Sequence, residues 1–307
     1  MRFQTDCDVI FFVSSSGHCN FSCRYCIIDP IAKNRPSLDY QDVKFLLETF
    51  DNKKAFLAFS GLGDFFSGYR KTERFLSNVL EHHVEIVLDI NGSILNEFPE
   101  LSDDKRSKIR AVNLTMHYHQ IKEKGILSKW SENARTVLEM NSDIVTPDYV
   151  LSPPLRDEWI EAVTYYEREV FARTGKKMLV VRDINRAFNQ EDEEILNRIS
   201  HTFAHVISGQ HQEDFAGIFA GKEEVICPAG KAYFRIWNDG RVQGCPNLPE
   251  VAELSTNGNI KERNLRINAD AFFCTTPRFC DCHVIEGLGK MGYAKAAHPS
   301  GSKAREI

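Results

Sequence analysis

The stretch DVIFFVSSSGHCNFSCRYC, residues 8–26, decides how the rest of this chain is read. Its first part, DVIFFV (8–13), is a short apolar, aromatic and β-branched run of the kind that forms a buried strand. Its second part places three thiols, Cys19, Cys23 and Cys26, at C-x3-C-x2-C in a loop straight after that strand. Three thiols alone do not complete a tetrahedral zinc site, although His18 stands next to them as a fourth ligand. A cubane [4Fe–4S] cluster, by contrast, can be held by three thiolates and leave one iron open.

Outward from this stretch the strand–loop–helix unit repeats. The strands AFLAF (55–59), VEIVLDI (84–90), IRAVNLTM (109–116), DYVLS (148–152) and KMLVV (177–181) alternate with helical segments. Those segments fall after Ser37 as N-cap and around 70–82, 94–107, 130–140, 156–174 (ended by Gly175) and 191–207. Alternation of this kind predicts a parallel sheet with right-handed crossovers. Six units over about 200 residues predict an open, partial (βα)6 TIM-like barrel with the unusual residues on its C-terminal rim. The expected division is a barrel over 1–208, a connector over 209–222, a small loop-rich β-hairpin iron–sulfur domain over 223–290 and a flexible tail over 291–307.

Composition sets the class. The chain has 307 residues, 42% hydrophobic and 26% charged, with a formal net charge of −5. Mean hydropathy is −0.34 and no run of about 18 apolar residues occurs, so no membrane span is expected. The N-terminus lacks a secretory pattern, and Lys and Arg are scattered, so the expectation is a cytoplasmic protein with no nucleic-acid partner. Nine cysteines, odd in number and clustered, point to metal or cluster ligation rather than a disulfide framework.

The cysteine loop resembles that of the radical S-adenosylmethionine (SAM) superfamily, with Tyr25 in the family's aromatic place before the last Cys. Ser60-Gly61-Leu62-Gly63-Asp64 after the second strand is similar to the family's Gly-rich turn, with Leu62, Asp64 and Phe65 departing from its usual residues. Asn91-Gly92 after the third strand matches another family turn. The resemblance implies a [4Fe–4S] cluster on Cys19, Cys23 and Cys26, with SAM on its open iron. Tyr25, Ser60, Gly61, Gly63, Asp64 and Asn91 would surround SAM. It further implies a 5′-deoxyadenosyl radical that abstracts a substrate hydrogen, and an external one-electron donor such as flavodoxin or ferredoxin.

Farther along, Cys227-x12-Gly240-x4-Cys245 flanks a hairpin of FRIW (234–237) and RVQG (241–244), and Cys274-x5-Cys280-x-Cys282 follows. This set resembles the C-terminal extension of SPASM/twitch enzymes, with one auxiliary [4Fe–4S] cluster on Cys227, Cys245, Cys280 and either Cys274 or Cys282. The leftover thiol of that pair is a candidate hydrogen-atom donor. Polar residues after the fourth and sixth strands, His117, Tyr118, His119, Arg182, Asp183 and Asn185, are candidates for the pocket, with Arg182 and His117 foremost. Glu167, Glu191, Asp192, Glu193 and Glu194 read as a solvated helix face. The layout resembles aminoglycoside epimerases and an aminocyclitol dehydrogenase. It implies a carbohydrate-like small molecule epimerised with thiol quenching. The alternatives are dehydrogenation through the auxiliary cluster, disfavoured peptide maturation, and a non-enzymatic zinc-stabilised binding module.

Overall fold

Eight strands run parallel in one sheet of the computed structural model. They are β1 (Val9–Ser14), β2 (Ala55–Ser60), β3 (Val84–Ile90), β4 (Ile109–Thr115), β5 (Val145–Leu151), β6 (Met178–Arg182), β7 (Ile207–His211) and, from the C-terminal part, β9 (Tyr233–Ile236). β8 (Val225–Cys227) lies outside this sheet, and β10 (Val242–Gln243) adds to β9 in antiparallel sense. The order is β10-β9-β1-β2-β3-β4-β5-β6-β7, which leaves both edges unpaired with each other: an open α/β barrel. The structure describes residues 6–14, 18–26, 37–60, 63–68, 74–183, 186–211, 225–227, 229–245, 256–270 and 272–274.

Helices cover the outer face: α1 (Tyr40–Thr49), α2 (Phe75–Val79), α3 (Asp103–Ser107), α4 (Tyr118–Glu123), α5 (Leu127–Met140), α6 (Trp159–Tyr166), α7 (Ala172–Thr174) and α8 (Gln190–Thr202). Alternation along the strands separates two cores. Residues such as Val9, Phe11, Leu57, Phe59, Ile86, Leu88, Val112, Leu114, Tyr149 and Phe234 pack outward against the helices. Cys7, Ile10, Phe56, Ala58, Val87, Ala111 and Tyr233 form a second, inner cluster that plugs the lower lumen, with Phe12 against it.

Three differences from the sequence reading have plain causes. The N-cap of α1 is Asp39, not Ser37, because Asp39 and Asp42 close a capping box that a serine two residues earlier cannot reach. The polar stretch read as a connector begins with β7, whose Ile207 is buried while the strand follows β6 as an edge. The C-terminal hairpin, read as part of a separate unit, extends the main sheet, with Ile10–Val13 in register with Tyr233–Ile236. A second small ladder pairs β8 with β13 (Phe272–Cys274), and a third pairs β11 (Gly258–Asn259) with β12 (Asn264–Leu265).

Candidate metal centre

All three loop cysteines sit at the C-terminal end of β1 and are half-buried. Three separate elements hold the loop there. From the β2 side, the Asp64 amide donates to the His18 carbonyl at 2.8 Å. Gly63 makes that approach possible: its φ is +82°, and a Cβ there would stand 2.2 Å from the His18 carbonyl oxygen. From the β3 side, Asn91 Nδ2 donates to Asn20 Oδ1 at 2.8 Å, and Asn20 Nδ2 donates to Ser93 Oγ at 2.8 Å. From α4, Gln120 Oε1 accepts from the Ser22 amide at 2.7 Å. The β3 turn is itself clamped from α5, where Trp130 Nε1 donates to the Asn91 carbonyl at 2.8 Å and Asn133 Nδ2 to that of Gly92 at 2.9 Å.

Nitrogen atoms already face two of the thiols. The Phe21 amide lies 3.4 Å from Cys19 Sγ, and His117 Nδ1 lies 3.3 Å from Cys23 Sγ. Three thiols of one loop with nitrogen donors around them suit an anionic iron–sulfur cluster. They suit a single zinc ion less well. Among the described residues, the group of three potential ligands that converges within 4.8 Å is Asp6, Cys7 and Glu85, not the loop cysteines. Zinc–sulfur bonds of 2.3 Å require sulfurs roughly 3.8 Å apart.

Other expected residues divide. His117 joins the loop directly, as does Tyr25, whose Oη is 2.6 Å from His117 Nδ1. Burial, with the Cys23 thiol beside it, pushes the Tyr25 phenol well up. Asn91 is 3% exposed and its side chain reaches the loop. Asp64, expected at the cofactor's amino group, is only 2% exposed. Its carboxylate accepts from the Asn91 amide at 2.6 Å and from the Ser67 amide and hydroxyl at 2.8 Å each. Burial raises its pKa against those hydrogen bonds. As placed, it ties the β2 and β3 turns together.

Arg182 is a correction. It shares strand parity with Met178 and Val180, which belong to the outer core, and it makes a bidentate pair with Glu193 at 2.8 and 2.6 Å. Its guanidinium therefore faces α8, and neither it nor Glu193 is simply solvated. Asp192 is buried as well, because it closes the capping box of α8 with Asn189. Asp183 is buried and accepts from Ser152 Oγ at 2.7 Å. Gly61, Asn185, Cys280 and Cys282 lie outside the described residues. Cys245 is buried after β10, while Cys227 and Cys274 lie on the paired strands β8 and β13, two residues out of register with each other.

Strand parity reveals lumen residues that motif reading missed. Above the apolar plug, Ser60, a residue expected beside the cofactor, donates to Asp89, and Asn113 Nδ2, not singled out by any motif, donates to the other Asp89 oxygen at 2.6 Å. Thr115 donates to Asp148, its register partner on β5. Burial raises the Asp89 carboxyl and pushes Asp148 up to about 7, the latter helped by Asp89 nearby. His119 is 7% exposed, and among the described residues neither ring nitrogen has a hydrogen-bond partner. Burial, then Arg24, lowers it to about 4, so it is a neutral imidazole beside the Tyr25 ring, 5.4 Å between centroids. The signal for the lumen set was present as polar residues at alternate positions near the strand ends, where a motif search does not look.

No protein-family model matches the chain, and no curated protein matches it. Solved structures do. The chain is similar to native anSMEcpe with bound AdoMet and the Cp18Cys peptide, at 15% identity and TM-score 0.50, over 88% of this chain and 79% of that one. It is also similar to SuiB of Streptococcus suis bound to precursor peptide SuiA (12% identity, TM-score 0.44, 86% of this chain and 64% of that one). A further similarity is to BtrN in an open conformation (13% identity, TM-score 0.35, 83% of this chain and 76% of that one). The architecture is an open α/β barrel with its cysteine loop at the C-terminal mouth. The first of these similarities shows that this architecture is the fold of anSMEcpe, a protein whose structure holds AdoMet.

Proposed function

We propose that this chain is a radical SAM enzyme that removes a hydrogen atom from a hydroxylated small molecule. The observation that carries the reading is the placement of Cys19, Cys23 and Cys26 together at the mouth of this particular fold. When bound to those thiolates, a [4Fe–4S] cluster with AdoMet on its open iron supplies a 5′-deoxyadenosyl radical for hydrogen abstraction. Asn91, Tyr25 and the turn of Gly61, Gly63 and Asp64 would form the wall around AdoMet. The inner apolar plug closes the lumen from below and keeps water from that end.

Ser60, Asp89, Asn113, Thr115 and Asp148 give the lumen donors and acceptors that suit hydroxyl groups. Asp148, raised to about 7, serves such a group as either donor or acceptor near neutral pH. Epimerisation is our preferred outcome. A thiol of Cys274 or Cys282 returns a hydrogen atom to the substrate carbon from the opposite face. The sulfur is restored by one electron and one proton from an external donor. A second reading is peptide modification, favoured by the peptide held in the similar structure of anSMEcpe. Dehydrogenation, with a lumen carboxylate taking the proton and the auxiliary cluster that Cys227, Cys245, Cys280 and Cys274 or Cys282 would hold taking the electron, is the third.

Anaerobic turnover of the reconstituted full chain with candidate cyclitols, amino sugars and peptides in deuterated water tests this directly. Deuterium in an epimer supports thiol quenching, and a ketone supports dehydrogenation. A modified peptide replaces the small-molecule reading. If AdoMet is not cleaved under any condition, the chemistry itself is wrong.

A further inference from the structure

Cys23 is approached by two side chains that the motif does not explain. Its own loop supplies Tyr25, brought back by a turn in which the Cys26 amide donates to the Cys23 carbonyl at 3.1 Å. The end of β4, 94 positions away, supplies His117, whose Nδ1 is 3.3 Å from Cys23 Sγ and 2.6 Å from Tyr25 Oη. The imidazole is fixed in place. It stacks on the Tyr25 ring, 5.9 Å between centroids at 18°, and Phe21 packs edge-on to it at 5.7 Å. His117 is also the N-cap of α4, the helix whose Gln120 accepts from Ser22, so loop and helix are docked at two points.

A sulfur that ligates iron is a thiolate and can only accept. Both groups beside it carry a hydrogen to give: the phenol O–H, and the imidazole N–H in the Nδ1 tautomer, which is shared between Tyr25 Oη at 2.6 Å and the sulfur at 3.3 Å. Hydrogen bonds to cluster sulfurs spread the charge added on reduction and so raise the potential. We infer that His117 and Tyr25 form a hydrogen-bonding clamp on the Cys23 sulfur that sets the reduction potential of the cluster. The inference rests on the iron–sulfur reading above. It makes His117 a positioning residue for the cluster rather than a group that touches substrate. The tautomer follows from the chemistry, since an Nδ1 lone pair facing a thiolate repels it.

The test uses the full chain, reconstituted anaerobically with iron and sulfide, as wild type, His117→Ala, His117→Asn and Tyr25→Phe. Iron content is measured first. An EPR-monitored redox titration then follows the signal that responds to AdoMet. The clamp predicts that His117→Ala titrates at a more negative potential, with the ratio of reduced to oxidised cluster falling about tenfold at a fixed potential, 59 mV for one electron. Tyr25→Phe shifts the same way by less. His117→Asn, whose amide nitrogen takes the place of Nδ1, recovers most of the wild-type value. Loaded Ala and Phe variants that titrate with the wild type overturn the inference, as does an Asn variant no better than Ala. Should His117→Ala fail to load, Tyr25→Phe against wild type and His117→Asn decides. Wild type that takes up no cluster overturns the iron–sulfur reading, and the clamp falls with it.

Discussion

The two ends of the barrel both gather cysteine and charge, and they treat them in opposite ways. At the N-terminal foot, ligand atoms of Asp6, Cys7 and Glu85 converge within 4.8 Å, yet the Lys54 ammonium sits among them. Lys54 Nζ is 2.6 Å from Asp6 and 2.7 Å from Glu85, and Arg110 Nε is 3.1 Å from the other Glu85 oxygen. Both carboxylates of that group have a cationic partner. At the mouth, Asp89 and Asp148 are backed by neutral donors, Ser60, Asn113 and Thr115, and burial raises both. Charge already balanced inside the protein is structural. Charge that the described side chains support with neutral groups is left to be balanced by what binds. This matches the general asymmetry of βα barrels, in which the strand C-termini carry chemistry and the N-termini carry stability.

The largest expected effect separates the cysteines of the two ends. Changing Cys19, Cys23 and Cys26 together to Ala should remove the mouth cluster and abolish AdoMet cleavage, read as 5′-deoxyadenosine. Cys7→Ala should leave cleavage intact and lower stability by about 1 kcal/mol. Equal loss in both would erase the distinction.

Next comes Gly63→Ala. The new methyl meets backbone at 2.2 Å with φ at +82°, so the loop must move. A cost of about 2–4 kcal/mol and poor iron loading are expected. Gly175→Ala, also at positive φ but in open space, should cost about 1 kcal/mol in a thermal melt with loading unchanged.

Asp148→Asn sharpens the contrast through pH. The native carboxyl holds its proton up to about 7, whereas the unfolded chain sheds it from its ordinary value of 3.8. Folding stability from this group is therefore full below the unfolded value and declines as pH rises toward 7, by at most about 1.4 kcal/mol per pH unit. The Asn variant should flatten the slope of denaturant midpoints between about pH 4 and pH 7. An unchanged slope would place the titration elsewhere. At the foot, Lys54→Met should cost about 1–2 kcal/mol by leaving Glu85 with Arg110 alone, with AdoMet cleavage unaltered. Lost cleavage there would mean that the foot is coupled to the chemistry.

Much of this was legible in the residues themselves. The apolar runs of β1 to β6 announce a parallel sheet, and the spacing of Cys19, Cys23 and Cys26 announces the centre at its mouth. The seventh strand was hidden because Ile207–His211 is polar, and an edge strand does not need two apolar faces. β9 was seen as half of a hairpin, but its parallel pairing with β1 is a contact across more than two hundred residues that periodicity cannot encode. Arg182 was misplaced because position after a strand gives the rim and not the face. Only its parity with Met178 and Val180 assigns it to the helix side. Asp89 and Asp148 were passed over for the same reason: each belongs to the lumen by alternation, not by motif.

The most direct measurement is EPR spectroscopy of the anaerobically reconstituted, dithionite-reduced wild-type chain, with and without AdoMet. The expected result is a reduced [4Fe–4S] signal that changes on adding AdoMet and is missing from the Cys19, Cys23 and Cys26 triple variant. A wild-type chain with no such signal, or one whose signal ignores AdoMet and survives in the triple variant, would contradict it.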